Sequence, residues 1–171
     1  REDAYIALAR RTIESYVTEG NRPRWADEKD AITDPKASQR MAHERAGAFV
    51  SLHRNGQLRG CIGTIGPTRK NLGEEIMANA VEACARDPRF APVRESELSE
   101  LDVKVDILHP FEPIKSMAEL DPYKYGVIVE SRGRRGLLLP NLEGVDTVAE
   151  QVSIAKRKAG IGEGENVELY R

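Results

Sequence analysis

Aromatic residues are scarce in this 171-residue chain: Phe, Trp and Tyr together make up 5% of it. That leaves few platforms on which the bases of a single-stranded nucleic acid could stack. Charge of one sign is missing too. Lys and Arg number 26 against 28 Asp and Glu, a formal net charge of −2, so no global field recruits nucleic acid or anionic lipid. No apolar run approaches the ~20 residues of a membrane-spanning helix, and no signal-peptide pattern opens the chain. The two cysteines, Cys61 and Cys84, lie in unrelated contexts, which argues for a reducing compartment rather than a disulfide scaffold. The expected location is the cytoplasm. HxH, HExxH and CxxC patterns are absent, so neither metal nor cofactor is expected. Gly160-Ile161-Gly162-Glu163-Gly164 lacks the lysine and preceding strand of a phosphate loop, and its glutamates would repel phosphate.

What is present fits one domain, since a chain of this length can bury a real core. Ala4 to Glu19 carries Tyr5, Leu8, Ala9, Ile13, Tyr16 and Val17 at helical spacing, between an Asp3 N-cap and a Gly20 stop. Asn21 to Gly47 has no clean period; it reads as a packed lid or as a segment ordered by a partner. Trp25 inside it is either a packing anchor or a stacking surface for a ligand. A second helix spans about Arg69 to Arg86, with Leu72, Ile76, Ala80, Ala83 and Cys84 inward. Cys84 there reads as a small core hydrophobe. Val103 to Leu108 alternates as a strand, with Lys104 and Asp106 toward water. Gly126 to Glu130 and Gly136 to Leu139 are strands joined by a basic loop, Ser131 to Arg135. Val145 to Ala159 is a third helix, with Thr147 and Glu150 at capping-box spacing and Gly160 as its stop. Val167 to Tyr170 reads as a short last strand. Hairpins and helices in this order predict an α+β fold, a mainly antiparallel β-sheet flanked by helices.

The stretch Ala48 to Gly63, AFVSLHRNGQLRGCIG, organises the rest. Asn55-Gly56 is the dipeptide most favoured by a two-residue type I′ hairpin turn. Before it, Val50 and Leu52 share one face while Phe49, Ser51 and His53 share the other. After it, Leu58, Gly60 and Ile62 share a face, and Arg59, Cys61 and Gly63 the opposite one. A register counted outward from the turn pairs Leu52 with Arg59 and Val50 with Cys61, which conflicts with a clean inside and outside. Either a bulge shifts the register or one face assignment is wrong.

Leu58-Arg59-Gly60-Cys61-Ile62-Gly63 resembles the LRGCIG signature of the AMMECR domain, whose bacterial and archaeal members are called AmmeMemoRadiSam system protein A. Asp87-Pro88-Arg89-Phe90-Ala91-Pro92 resembles the family's DxRFPP segment, with Ala91 where a proline is usual. Gly136-Leu137-Leu138-Leu139-Pro140 resembles its GLLLP strand, and Lys158-Ala159-Gly160 its late KAG. The resemblance covers nearly the whole chain and implies a single AMMECR-type domain over 1–171 with a smaller second subdomain. It also implies an accessory or substrate-handling role beside a Memo-like protein, similar to extradiol ring-cleavage dioxygenases and sometimes fused to the domain, and a radical SAM enzyme. Any iron would belong to that dioxygenase-like partner. The chain begins at Arg1, with no initiating methionine, which suits a domain cut from a longer, fused protein.

Cys61 is the candidate nucleophile. A thiol attacks as thiolate, which neighbouring Arg59 would favour, and a base within reach would come from His43, His53 or His109. Gly60 and Gly63 remove side chains around the thiol and let other backbone approach. Equally, cysteine there fills a small gap and the glycines admit a helix. Asp87 and Arg89 lie in a proline-bounded loop, either as binding residues or as an internal salt bridge. Arg59, Cys61, Asp87 and Arg89 together could line one cleft that recognises an anion. The clusters Arg132, Arg134, Arg135 and Lys156, Arg157, Lys158 read as solvated faces more than as a nucleic-acid surface.

Overall fold

The computed structural model describes residues 2–171. The chain divides into two compact units, Arg1–Pro110 and Phe111–Arg171, and each follows from local signals in its own stretch.

In the first unit, helix α1 (Ala4–Glu19) starts where the Asp3 carboxylate accepts the Ile6 N–H at 2.8 Å, and it ends at Gly20 in the left-handed conformation. Asn21 to Gly47, without a clean period in sequence, holds a short helix α2 (Trp25–Glu28), one 3₁₀ turn (Lys29–Ala31) and helix α3 (Pro35–His43). The start signal of α3 is local: the Asp34 side chain accepts from the N–H groups of Lys36 and Ala37, and proline occupies the first turn.

Strands β1 (Gly47–Arg54) and β2 (Gln57–Gly63) then form the expected hairpin, with positive φ at both Asn55 and Gly56 as a type I′ turn requires. The register conflict resolves as a bulge. His53 pairs with Leu58 and Leu52 with Gly60, so Arg59 is the extra residue. Beyond the bulge, Ser51 faces Cys61 and Val50 faces Ile62. Helix α4 (Leu72–Ala85) begins at Asn71 rather than Arg69, because the Asn71 side chain accepts the Glu74 N–H at 2.8 Å. Strand β3 (Leu101–Leu108) follows a 3₁₀ segment (Glu95–Glu100) and pairs antiparallel with β1, which gives the order β2-β1-β3. Helices α1 and α4 pack on this sheet, and Leu8, Ile13, Met41, Val50, Leu52, Leu72 and Ile76 form its core. The other face carries Phe49, Ser51, Cys61, Lys104 and Asp106. Asp106 is half-buried there rather than turned to water, and burial raises its pKa.

The second, smaller unit holds β4 (Pro113–Ile114), β5 (Val127–Ser131), β6 (Arg134–Leu138), helix α5 (Val148–Ala159) and β7 (Glu168–Tyr170), with the sheet order β4-β7-β5-β6. The expected five-residue basic loop is a two-residue turn instead: Arg132 and Gly133 both take positive φ, and Arg134 and Arg135 belong to β6. Helix α5 starts at Thr147, whose hydroxyl accepts the Glu150 N–H at 3.1 Å, and it lies close on Gly136 through the Ala155 carbonyl. Val127, Val129, Leu138, Val152 and Ala155 form its core.

Candidate functional site

Gly60 sets the geometry around Cys61. A Cβ at this position would stand 2.3 Å from the Ala83 carbonyl oxygen, so glycine is what lets the last turn of α4 rest on β2. Four residues after Ala83 the chain passes the outer side of β2 and delivers Asp87. Its Oδ2 accepts the Cys61 N–H at 3.0 Å. Arg89 returns a bond in the other direction, its Nη2 donating to the Cys61 carbonyl at 3.2 Å. The two side chains also pair with each other, Nη2 to Oδ2 at 2.8 Å and Nε to Oδ1 at 3.0 Å. Both backbone groups of Cys61 thus point outward, which makes Ser51 and Cys61 a non-hydrogen-bonded pair with close side chains. The Ser51 hydroxyl stands 3.3 Å from the Cys61 thiol, within hydrogen-bonding distance.

Arg59 is committed elsewhere. Its Nε and Nη2 donate to the two oxygens of Glu97 at 2.8 and 3.0 Å, and Nη1 donates to the Ala91 carbonyl at 2.8 Å. Nη2 also reaches the Pro92 carbonyl at 3.3 Å. Expected as a free cation beside the thiol, Arg59 is instead a staple between the bulge of β2 and the loop that carries Asp87 and Arg89. The cation joined to Cys61 is Arg89.

Two carboxylates are buried here. Asp87 is held down to about pKa 2 by the Arg89 guanidinium first, with help from the N–H groups of Cys61 and Arg89 against the penalty of burial. Glu97 is held at about 2 by Arg59 first, against burial and with help from the Arg94 N–H. Both are charged at neutral pH. Cys84 stands apart on the inner face of α4, 2% exposed, and burial pushes its thiol up to about 11.

The structure therefore brings Arg59, Gly60, Cys61, Asp87 and Arg89 to one place, while Gly63 lies under the Phe49 ring. A guanidinium, a thiol and a buried hydroxyl are juxtaposed, but among the described residues none of the three imidazoles hydrogen-bonds Cys61. His53 lies beyond the bulge, opposite Leu58. No three metal-ligating side chains converge among the described residues, and no helix is long and apolar enough to cross a membrane. Glu97 and Ser51 were not singled out from sequence. Glu97 sits in the run Glu95-Ser96-Glu97-Leu98-Ser99-Glu100, which looks like a solvated face; its only signal is capping-box spacing from Arg94.

The AMMECR1 family model matches residues 6–171. The chain belongs to the AMMECR1 family. A Thermotoga maritima protein is 52% identical over 172 aligned positions, covering 99% of this chain and 94% of the relative. A Clostridium acetobutylicum protein is 46% identical over 170 positions, and there the match covers 99% of this chain but only 35% of the relative. This AMMECR1 chain thus spans about a third of that protein's length. Among solved structures, the crystal structure of the uncharacterized protein PH0010 from Pyrococcus horikoshii superposes with a TM-score of 0.82 at 30% identity, over 99% of this chain and 88% of that one. The AMMECR1 fold is thereby placed as α+β with two antiparallel sheets.

Proposed function

We propose that this AMMECR1 protein is an accessory or substrate-handling domain that works in the cytoplasm with a Memo-like, extradiol dioxygenase-like protein and with a radical SAM enzyme. The observation that carries this reading is the Clostridium acetobutylicum relative, in which a 46% identical stretch is 35% of a longer chain. There the same fold is covalently tied to further sequence, as a domain that serves others would be. The geometry of the LRGCIG strand is compatible with such a role: its arginine and the adjoining Asp87–Arg89 pair stabilise the domain internally. Two free thiols, one of them half-buried, suit a reducing compartment.

The test is sedimentation of the purified chain with the Memo-like protein of the same genome, and separately with its radical SAM enzyme, at micromolar concentrations. A faster-sedimenting complex with either supports the reading. Independent sedimentation in both mixtures rejects it.

One observation favours a second reading. Cys61 is partly exposed on a backbone held at both its N–H and its carbonyl, beside the Arg89 pair and the Ser51 hydroxyl. A fixed, reachable thiol of this kind could act as a nucleophile in its own right. The pH dependence of alkylation, with Cys84→Ser to isolate the signal, decides it. Rapid modification with an apparent pKa well below the ~8.5 of a free thiol favours the enzyme. Resistance until unfolding makes Cys61 a packing residue.

A further inference from the structure

Away from Cys61, the first unit contains a cavity of about 540 Å³ between the segment around α2 and the first turns of α4. That volume lies in the range of small-molecule sites, roughly 300–1,000 Å³. Its walls include Arg22, Arg24, Arg69 and Lys70, together with Trp25 and one carboxylate, Glu74. Cations thus dominate this cavity in a chain whose net charge is −2.

The four cations are held differently. Arg22 lies 3.4 Å from Glu82 and Arg24 3.1 Å from Asp27, both as exposed pairs that exchange readily for a better-placed anion. The side chains of Arg69 and Lys70 have no ion pair or hydrogen bond among the described residues. Their backbone, in contrast, is fixed. The Arg69 N–H donates to Glu75 at 3.0 Å, and its carbonyl accepts from Arg45 at 3.0 Å. The Thr68 N–H and hydroxyl donate to the same Glu75 carboxylate at 2.7 and 2.6 Å, and Glu75 is 1% exposed. A buried carboxylate with four donors therefore immobilises the loop while its two cationic side chains stay unpaired at the rim of the cavity.

Trp25 is fixed as well. Its ring lies on Gly73, where an added Cβ would meet Cζ3 at 2.3 Å, so the absence of a side chain in α4 seats the indole in the cavity wall. A rigid aromatic beside rigidly mounted cations matches a ligand with one flat ring and one multiply charged anionic group.

We propose that this cavity binds a nucleoside phosphate, with the base stacked on Trp25 and the phosphates held by Arg69 and Lys70 while Arg22 and Arg24 close around them. The site is separate from the Cys61 strand and does not depend on any role for the thiol.

Equilibrium dialysis of AMP, ADP, GMP and GDP against the full chain tests this, read together with the emission of Trp25, the only tryptophan. At least one nucleotide should bind saturably and quench Trp25. The double variant Arg69→Ala/Lys70→Ala should weaken binding by about tenfold or more with thermal unfolding unchanged, because both side chains are exposed. Absence of saturable binding by all four at millimolar concentration overturns the proposal, as does binding that survives the double variant. Inorganic pyrophosphate that binds as tightly as the diphosphates would overturn the stacking on Trp25.

Discussion

Arg59 and Glu97 form a two-pronged ion pair, Nε to Oε2 at 2.8 Å and Nη2 to Oε1 at 3.0 Å, with the Glu97 side chain only 4% exposed. A forked guanidinium is the one side chain that meets both carboxylate oxygens in plane. Arg54 approaches the same carboxylate at 3.3 Å, so Glu97 is the hub that ties the hairpin to the segment before β3.

Removing the fork should be costly. Arg59→Ala leaves a buried carboxylate short of its main partner, with an expected loss of about 3 kcal/mol in urea unfolding. Arg59→Lys should recover little, since an ammonium cannot make both bonds. The double variant Arg59→Ala/Glu97→Gln should be more stable than Arg59→Ala alone, because the stranded charge is gone. Equal stability of all variants would show that the pair contributes nothing.

Acid should act through the same residues. Asp87 and Glu97 both have folded pKa values of about 2, below the ordinary carboxylate range. A group lowered on folding stabilises fully above its unfolded pKa, and that contribution fades as pH falls through the interval down to the folded value. Each should therefore contribute on the order of 2 kcal/mol at neutral pH that disappears between roughly pH 5 and pH 2. Asp87→Asn and Glu97→Gln should each be less stable at pH 7 and show a flatter pH dependence over that interval. An unchanged slope in both would remove these carboxylates from the account.

The two glycines of the strand should respond unequally. At Gly60 an added Cβ meets helix backbone, the Ala83 carbonyl oxygen, which cannot move without shifting α4 off the sheet. Gly60→Ala should destabilise by about 3 kcal/mol. At Gly63 the obstruction is the Phe49 ring, with Cγ 2.2 Å from the added atom. A side chain can swing aside, so Gly63→Ala should cost roughly half as much. Thermal unfolding of the two variants checks the order, and the reverse order would contradict the packing described here.

The parts of the fold governed by local chemistry were legible in sequence. Asp3 and Gly20, Asn55-Gly56, and Gly160 act on their own neighbours, and each sets an element boundary where it was expected, whereas Thr147 caps α5 at Val148, three residues after the expected start at Val145. Helix α3 escaped because its apolar positions are too few for a period, although Asp34-Pro35 marks its start. The bulge at Arg59 was one of two alternatives, and only the pairing of β1 with both neighbours decides between them. At the site, Cys61, Asp87 and Arg89 could be named, but not the direction of their bonds. Glu97 was invisible because its importance comes from burial against a partner 38 residues away.

The salt bridge of Asp87 and Arg89 has one more consequence. β2 is an outer strand of its sheet, and an outer strand offers N–H and C=O groups to any passing chain. At Cys61 the two side chains supply an acceptor and a donor where an adjacent strand would supply them. They blunt the sheet margin at Cys61, midway along β2, and so protect the protein from aggregation by edge-to-edge growth.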